Sequence, residues 1–240
     1  MKNLQILVIS LKQSSDRQAK ATTELSKVPF EWSFLEAVDG RKLNYPIPEY
    51  LPNKVKRLLG FELTPNEIGC FLSHRKAWQA CIDKNVPTLV FEDDFVLLPH
   101  FEEVINTLIA NLQDWELVRL QALLQSSDEE VKSYRDFKLV TNHVDPLGAT
   151  AYLLTPKAAS ILVKQANYIY EPLDHFLEHH QKHSVRMLAV KPYPVDITQV
   201  ESTISDRPDD RKPTKGWKKR LRSISRQLDR MFAKEPWFPK

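Results

Sequence analysis

The chain has 240 residues, 42% hydrophobic and 27% charged, enough for one sizeable buried core and consistent with one domain plus a tail. No run of about 18 apolar residues occurs and the apolar part of the N-terminus is too short for a signal peptide, so no membrane crossing is expected. The net charge of +3 hides an asymmetry: residues 211–234 carry ten Lys or Arg and one acid, a segment of +9 on a chain that is otherwise −6.

Residues 4–9 form a short apolar run suited to a buried strand, followed by Ser14, Ser15 and Asp16 as cap candidates and a polar helix over 16–27. A second strand is expected over 32–37, ending in the turn signal Asp39-Gly40. Residues 43–63 are interrupted by prolines and read as irregular. Thr64-Pro65-Asn66-Glu67 carries a capping box with proline at the first helical position, and predicts a helix from 65 to about 84. After Pro87, Thr88-Leu89-Val90-Phe91 reads as a fully buried strand that stops abruptly in Glu92-Asp93-Asp94. Beyond it come a helix over 100–112, a strand at 117–120, a polar stretch to about 136, strands at 137–140 and 148–154, and a helix capped by Thr155-Pro156. Strands interleaved with helices predict an α/β layered sheet, mainly parallel, with the globule ending near Pro208.

Cys70 and Cys81 fall on the 65–84 helix roughly 16 Å apart at about 1.5 Å per residue, too far for a bridge, and read as small buried side chains of a cytosolic chain. The five glycines form neither GxGxxG nor GxxxxGK[ST], which argues against a dinucleotide fold and a P-loop kinase. Three carboxylates after a buried strand need a positive partner, and ligands of open α/β sheets collect at the carboxyl ends of strands. A hard divalent cation, Mn2+ or Mg2+, fits such oxygens and leaves positions for substrate phosphates; the bland alternative is a solvated turn. By strand alternation Glu92 and Asp94 should face the cation together, with Asp93 pointing elsewhere. Arg17 and Arg75 are either phosphate contacts or surface charges, and His74 either touches a ligand or satisfies a buried helix. Histidines 175, 179, 180 and 183 lack an HExxH pattern; 175 and 179 have the one-turn spacing of a helical metal pair, and the cluster reads as a solvated helix face, His175 excepted, with a borderline-metal site as the alternative.

Ser10-Leu11 with Arg17 beyond it, Ala37-Val38-Asp39-Gly40, the block from Leu63 through Glu67 to His74, Phe91-Glu92-Asp93-Asp94, Gly148-Ala149-Thr150-Ala151-Tyr152 and Pro172-Leu173-Asp174-His175 occur in this order. Together they resemble glycosyltransferase family 25, the lipooligosaccharide galactosyltransferases of Gram-negative bacteria. The resemblance implies a GT-A fold, a UDP-sugar donor, commonly UDP-galactose, inversion at the anomeric carbon, and a metal held by an Asp-x-Asp-like motif. Carried onto this chain, the metal set is Glu92 and Asp94 with His175. Donor contacts are expected from Ser10, Leu11, Arg17, Asp39, Gly40, Ser73, His74, Arg75, Asp93 and Thr150. Where the family reads Ile-Asn-Leu after the first strand, this chain reads Ile-Ser-Leu, so the Ser10 hydroxyl replaces a side-chain amide. Inversion requires a base for the acceptor hydroxyl, and Asp174 is the candidate, either in that role or completing the metal shell.

Trp217, Leu221, Ile224, Leu228, Met231 and Phe232 recur every three or four residues among basic neighbours, the pattern of a basic amphipathic helix over 215–233. Such a helix suits an anionic membrane surface and a lipid-linked acceptor; the alternative is packing on the globule or a partner, and no nucleic acid is expected. The resulting expectation is a GT-A unit over 1–208 with a tail over 209–240, peripheral on the cytoplasmic face of the inner membrane, moving a hexose onto the lipooligosaccharide core. The rival readings are a metal-dependent nucleotidyltransferase and an inactive carbohydrate-binding or scaffolding relative.

Overall fold

The computed structural model describes residues 4–198. Along the chain run β1 (Gln5–Ser10), α1 (Ser15–Leu25), β2 (Ser33–Glu36), α2 (Pro52–Leu59), α3 (Pro65–Lys84), β3 (Thr88–Glu92), β4 (Phe95–Leu97), α4 (Phe101–Ala110), β5 (Leu117–Arg119), β6 (Asp128–Ser133), β7 (Lys138–Asn142), β8 (Ala151–Leu154), α5 (Pro156–Gln165), α6 (Leu173–Glu178), α7 (His180–His183), β9 (Met187–Lys191) and β10 (Val195–Ile197). The expected end of the globule near Pro208 and the expected basic helix over 215–233 lie outside the described residues.

Eight strands form one sheet in the order β2-β1-β3-β8-β5-β9-β7-β6, and β4 pairs with β10. The α/β expectation holds, with a mixed sheet. β1 runs parallel to β2 and β3, and β5 parallel to β9, while the remaining neighbours in the large sheet are antiparallel. Side chains of β1 alternate between two apolar cores: Ile6 and Val8 pack with α1 and α4, Leu7 and Ile9 with α3, α5 and α6. A strand covered on both faces needs apolar residues at every position, which is why β1 and β3 read as unbroken apolar runs.

The capping box of α3 forms as the sequence requires. Glu67 N–H donates to the Thr64 hydroxyl at 3.2 Å, and Thr64 N–H to the Glu67 carboxylate at 2.8 Å. Two segments differ from expectation. The proline-rich stretch contains α2, which starts on Pro52, ends on Gly60 at φ 88° and buries Val55 and Leu58. There the prolines mark a helix start rather than its absence. The polar stretch before 136 contains β6, whose side chains are mostly exposed because, among the described residues, it is an edge strand paired with β7 alone. No helix among the described residues is long and apolar enough to cross a membrane.

Candidate functional site

The carboxyl ends of β1 and β3, the turn after β2 and the first half of α3 enclose a cavity of about 330 Å3. Ser10, Leu11 and Arg17 line one side, Val38, Asp39, Gly40, Arg41 and Asn66 another, and Cys70, Ser73 and His74 of α3 stand with Glu92, Asp93 and Asp94. The helix sits directly on the 38–40 turn. A Cβ on Gly40 would lie 1.6 Å from the Pro65 carbonyl oxygen, and one on Gly69 would lie 2.5 Å from that of Val38, so only glycine permits this approach. Ser73 seals the contact: its hydroxyl donates to Gly69 O at 2.6 Å and accepts from Val38 N–H at 2.8 Å. Asp39 accepts from Arg41 N–H at 3.1 Å and from the Gln13 amide at 3.2 Å. Burial pushes its carboxyl up, but the hydrogen bonds from the Arg41 side chain and backbone outweigh this and hold it below the usual value.

Strand pairing of β3 ends at Glu92, and Asp93 and Asp94 form the turn into β4. Alternation therefore stops where the acids begin, and Asp93 does not point away. Arg17 bridges the two aspartates, Nε lying 2.9 Å from Asp93 Oδ1 and Nη2 lying 3.0 Å from Asp94 Oδ2. The Ser10 hydroxyl donates to Asp93 Oδ2 at 2.6 Å. Asp94 Oδ1 is buried with no hydrogen-bond partner. Burial and the neighbouring Glu92 charge push the Asp94 carboxyl up to about 7 against the pull of Arg17. Burial also raises Asp93, opposed by the Ser10 hydrogen bond and by Arg17. The same burial acts on Glu92, but its hydrogen bond with His74 wins and lowers it.

Glu92 turns to α3. His74 Nε2 lies 3.2 Å from its Oε1, and the Cys70 thiol donates to the same oxygen at 3.6 Å. His74 is fully buried; its Nδ1 lies 2.8 Å from the Tyr152 hydroxyl, which also accepts from Trp78 Nε1 at 2.8 Å. Cys81 is the buried side chain expected, whereas Cys70 lies on the cavity wall. Its four-residue spacing to His74, one helical turn, was the signal that could have placed both on one face.

Other expected contacts lie elsewhere. Arg75 follows His74 by one position, about 100° round the helix, and bonds Glu49 at 3.3 Å and Ala166 O at 3.4 Å, off the cavity wall. Thr150 is buried behind the wall, its carbonyl accepting from Glu92 N–H at 2.9 Å. Asp174 stands on α6, half-buried, where its charge reaches the Cys70 thiol and the buried Arg119, and it accepts from His175 N–H at 2.9 Å. The His175 ring meets that of His179 edge-on at 6.5 Å. The histidine cluster is not uniformly solvated: His179 is held 2.7 Å from buried Glu171, and His183 is buried against Phe176 O at 3.1 Å, its pKa lowered by that burial to about 4.

Fold and site together define an α/β protein with a polar cleft at the carboxyl ends of its strands. The profile of glycosyltransferase family 25 (LPS biosynthesis protein) matches residues 3–177, and the chain belongs to that family. Procollagen galactosyltransferase 1-A of Xenopus laevis is 26% identical over 232 residues, covering 84% of this chain and 38% of its own length. Procollagen galactosyltransferase 2 of Homo sapiens is 26% identical, with 84% and 37% covered. Inactive glycosyltransferase 25 family member 3 of Mus musculus is 30% identical over 137 residues, covering 53% of this chain and 23% of its own length. The chain thus spans under two fifths of the length of these relatives. Among solved structures, a glycosyltransferase involved in the glycosylation of the major capsid of PBCV-1 superposes with a TM-score of 0.42 at 7% identity, over 78% of this chain and 80% of its own.

Proposed function

We propose that the protein is an inverting glycosyltransferase that moves a hexose, galactose from UDP-galactose, onto a core sugar of lipooligosaccharide or lipopolysaccharide. Membership of a family described by LPS biosynthesis and the galactosyltransferase relatives support this reading. The observation that carries it is Asp94 Oδ1, buried without a partner in a cleft already crowded with carboxylates. An oxygen so placed fits a hard divalent cation, and Mn2+ or Mg2+ would be held by Asp94 and Glu92. When bound, the cation supplies charge neutralisation for the diphosphate leaving group.

The chain's own residues do the rest. Asp39 and Asn66, which line the cleft, hold the nucleoside. Arg17 keeps Asp93 and Asp94 in place. Asp174, outside the cavity wall but near enough for its charge to act on Cys70 of that wall, takes the proton of the attacking acceptor hydroxyl. Residues 1–208 form the transferase unit, and the basic helix over 215–233 lies on anionic lipid at the cytoplasmic face of the inner membrane, beside a lipid-linked acceptor.

The test is UDP release from a panel of UDP-sugars with lipooligosaccharide acceptor, with and without Mn2+, for wild type and Asp94→Asn. Mn2+-dependent release from UDP-galactose, lost in the variant, is expected. Release of diphosphate instead of UDP would make the protein a nucleotidyltransferase. Absence of both turnover and metal-dependent UDP binding would make it an inactive relative, the reading favoured by its likeness to the mouse inactive member.

A further inference from the structure

The wall of the cleft carries a second, chemically different donor set. Cys70 Sγ, His74 Nε2 and Glu92 Oε1 lie within 4.8 Å of one another, in three residues that line the cavity, His74 itself fully buried. A tetrahedral zinc ion with bonds of about 2.3 Å to sulfur and about 2.0 Å to nitrogen and oxygen separates S from O by about 3.5 Å and N from O by about 3.3 Å. The observed separations are 3.6 Å for Cys70 Sγ to Glu92 Oε1 and 3.2 Å for His74 Nε2 to Glu92 Oε1. We propose that Cys70, His74 and Glu92 form a three-ligand site for Zn2+ or another borderline divalent metal, with its fourth position facing the cleft.

The surroundings are those such a site requires. A ligating histidine is held by a hydrogen bond at its other ring nitrogen, and His74 Nδ1 has the Tyr152 hydroxyl at 2.8 Å. Trp78 occupies one lone pair of that oxygen, leaving either its second lone pair or its own hydrogen for Nδ1. In the metal-free site the His74 proton sits on Nε2 and serves Glu92; metal binding exchanges it for one on Nδ1, donating to Tyr152, and frees Nε2 to ligate. Cys70 ligates as thiolate, its proton passing to solvent, so binding releases one proton and adds one positive charge to the site. The sulfur–nitrogen pair prefers zinc, whereas Asp94 presents oxygen alone and prefers Mn2+ or Mg2+. Glu92 belongs to both sets, so the two ions compete for it.

The experiment is titration of the metal-free full-length protein with Co2+, followed by Zn2+, in a reductant that does not chelate. Expected are tetrahedral visible absorption and a thiolate-to-cobalt charge-transfer band saturating at one equivalent, both removed by Zn2+. Cys70→Ser should abolish the charge-transfer band while Cys81→Ser retains it, and Tyr152→Phe should weaken Zn2+ roughly tenfold. Circular dichroism of each variant checks that it is folded. Should Cys70→Ser not fold, labelling of wild-type Cys70 by a maleimide, read by peptide mass, takes its place, and one equivalent of Zn2+ should suppress it. A weak octahedral cobalt spectrum without the band, a band that follows Cys81, or labelling of Cys70 unchanged by Zn2+ would overturn the proposal. None of these readouts depends on sugar transfer, so failure here and failure of the transferase reading are separate outcomes.

Discussion

Ser10 and Asp93 stand 83 positions apart and share a hydrogen bond of 2.6 Å, donated by the hydroxyl at the end of β1 to the carboxylate in the turn after β3. The bond is buried and its acceptor carries charge, so its loss should cost about 1.5–3 kcal/mol. Ser10→Ala is expected to lower stability by that amount at neutral pH in urea denaturation, where Asp93 is most in need of a donor. An unchanged midpoint would mean that Arg17 alone orients Asp93.

The two arginines singled out in the sequence should behave differently. Arg17 joins Asp93 and Asp94 across a nearly closed turn, so Arg17→Ala leaves two carboxylates facing each other and should destabilise toward the low end of about 3–5 kcal/mol. Arg75 pairs with a half-exposed Glu49, and Arg75→Ala should cost about 1 kcal/mol or less. Denaturation midpoints decide it, with equal losses contradicting the assignment.

Asp94 makes stability depend on pH in a definite sense. A carboxyl raised to about 7 in the native state binds its proton more tightly than in the unfolded chain. Its contribution is fully present below the unfolded value near 4 and is lost as pH rises through 7. His183, lowered to about 4 by burial, acts oppositely, losing stability as pH falls from about 6.5 to 4. The difference between wild type and Asp94→Asn isolates the first effect: the variant should gain relative stability between pH 4 and 8, and Mn2+ should reduce that gain by stabilising wild type alone. A difference flat in pH would contradict the raised carboxyl.

Replacing the proposed base should slow turnover without loosening the donor. Asp174→Asn is expected to lower kcat by about 10²–10⁴-fold with the donor KM little changed. Steady-state UDP release measures both, and near-normal kcat would exclude Asp174 as base.

Deleting residues 209–240 should release the protein from vesicles containing anionic lipid while turnover on a soluble, delipidated acceptor persists. Flotation with and without the deletion measures this, and equal recovery on vesicles would exclude the basic segment as the membrane contact.

Several elements were legible because their signals are local. The Thr64 box and Pro65 specify where α3 begins without reference to the rest of the chain, and the apolar runs of β1 and β3 announce strands covered on both faces. α2 is hidden because prolines interrupt the apolar pattern around it, although Pro52 and Gly60 bracket a helix in the usual order. β6 was hidden because an exposed edge strand has no apolar period to read.

By itself the sequence determined the family, the α/β class and the cleft-forming block from Glu67 to His74 with the three acids after β3, since each is written in contiguous residues. Only the tertiary structure decided what those residues face. Ser10 and Arg17 reach the aspartates, Glu92 turns to Cys70 and His74, and Arg75, one position on along the same helix, falls outside the cleft. The physical reason is that a carboxylate's partner is chosen by which strands adjoin and by the phase of α3 against the sheet. That phase rests on Gly40 and Gly69, where two backbones meet too closely for any side chain.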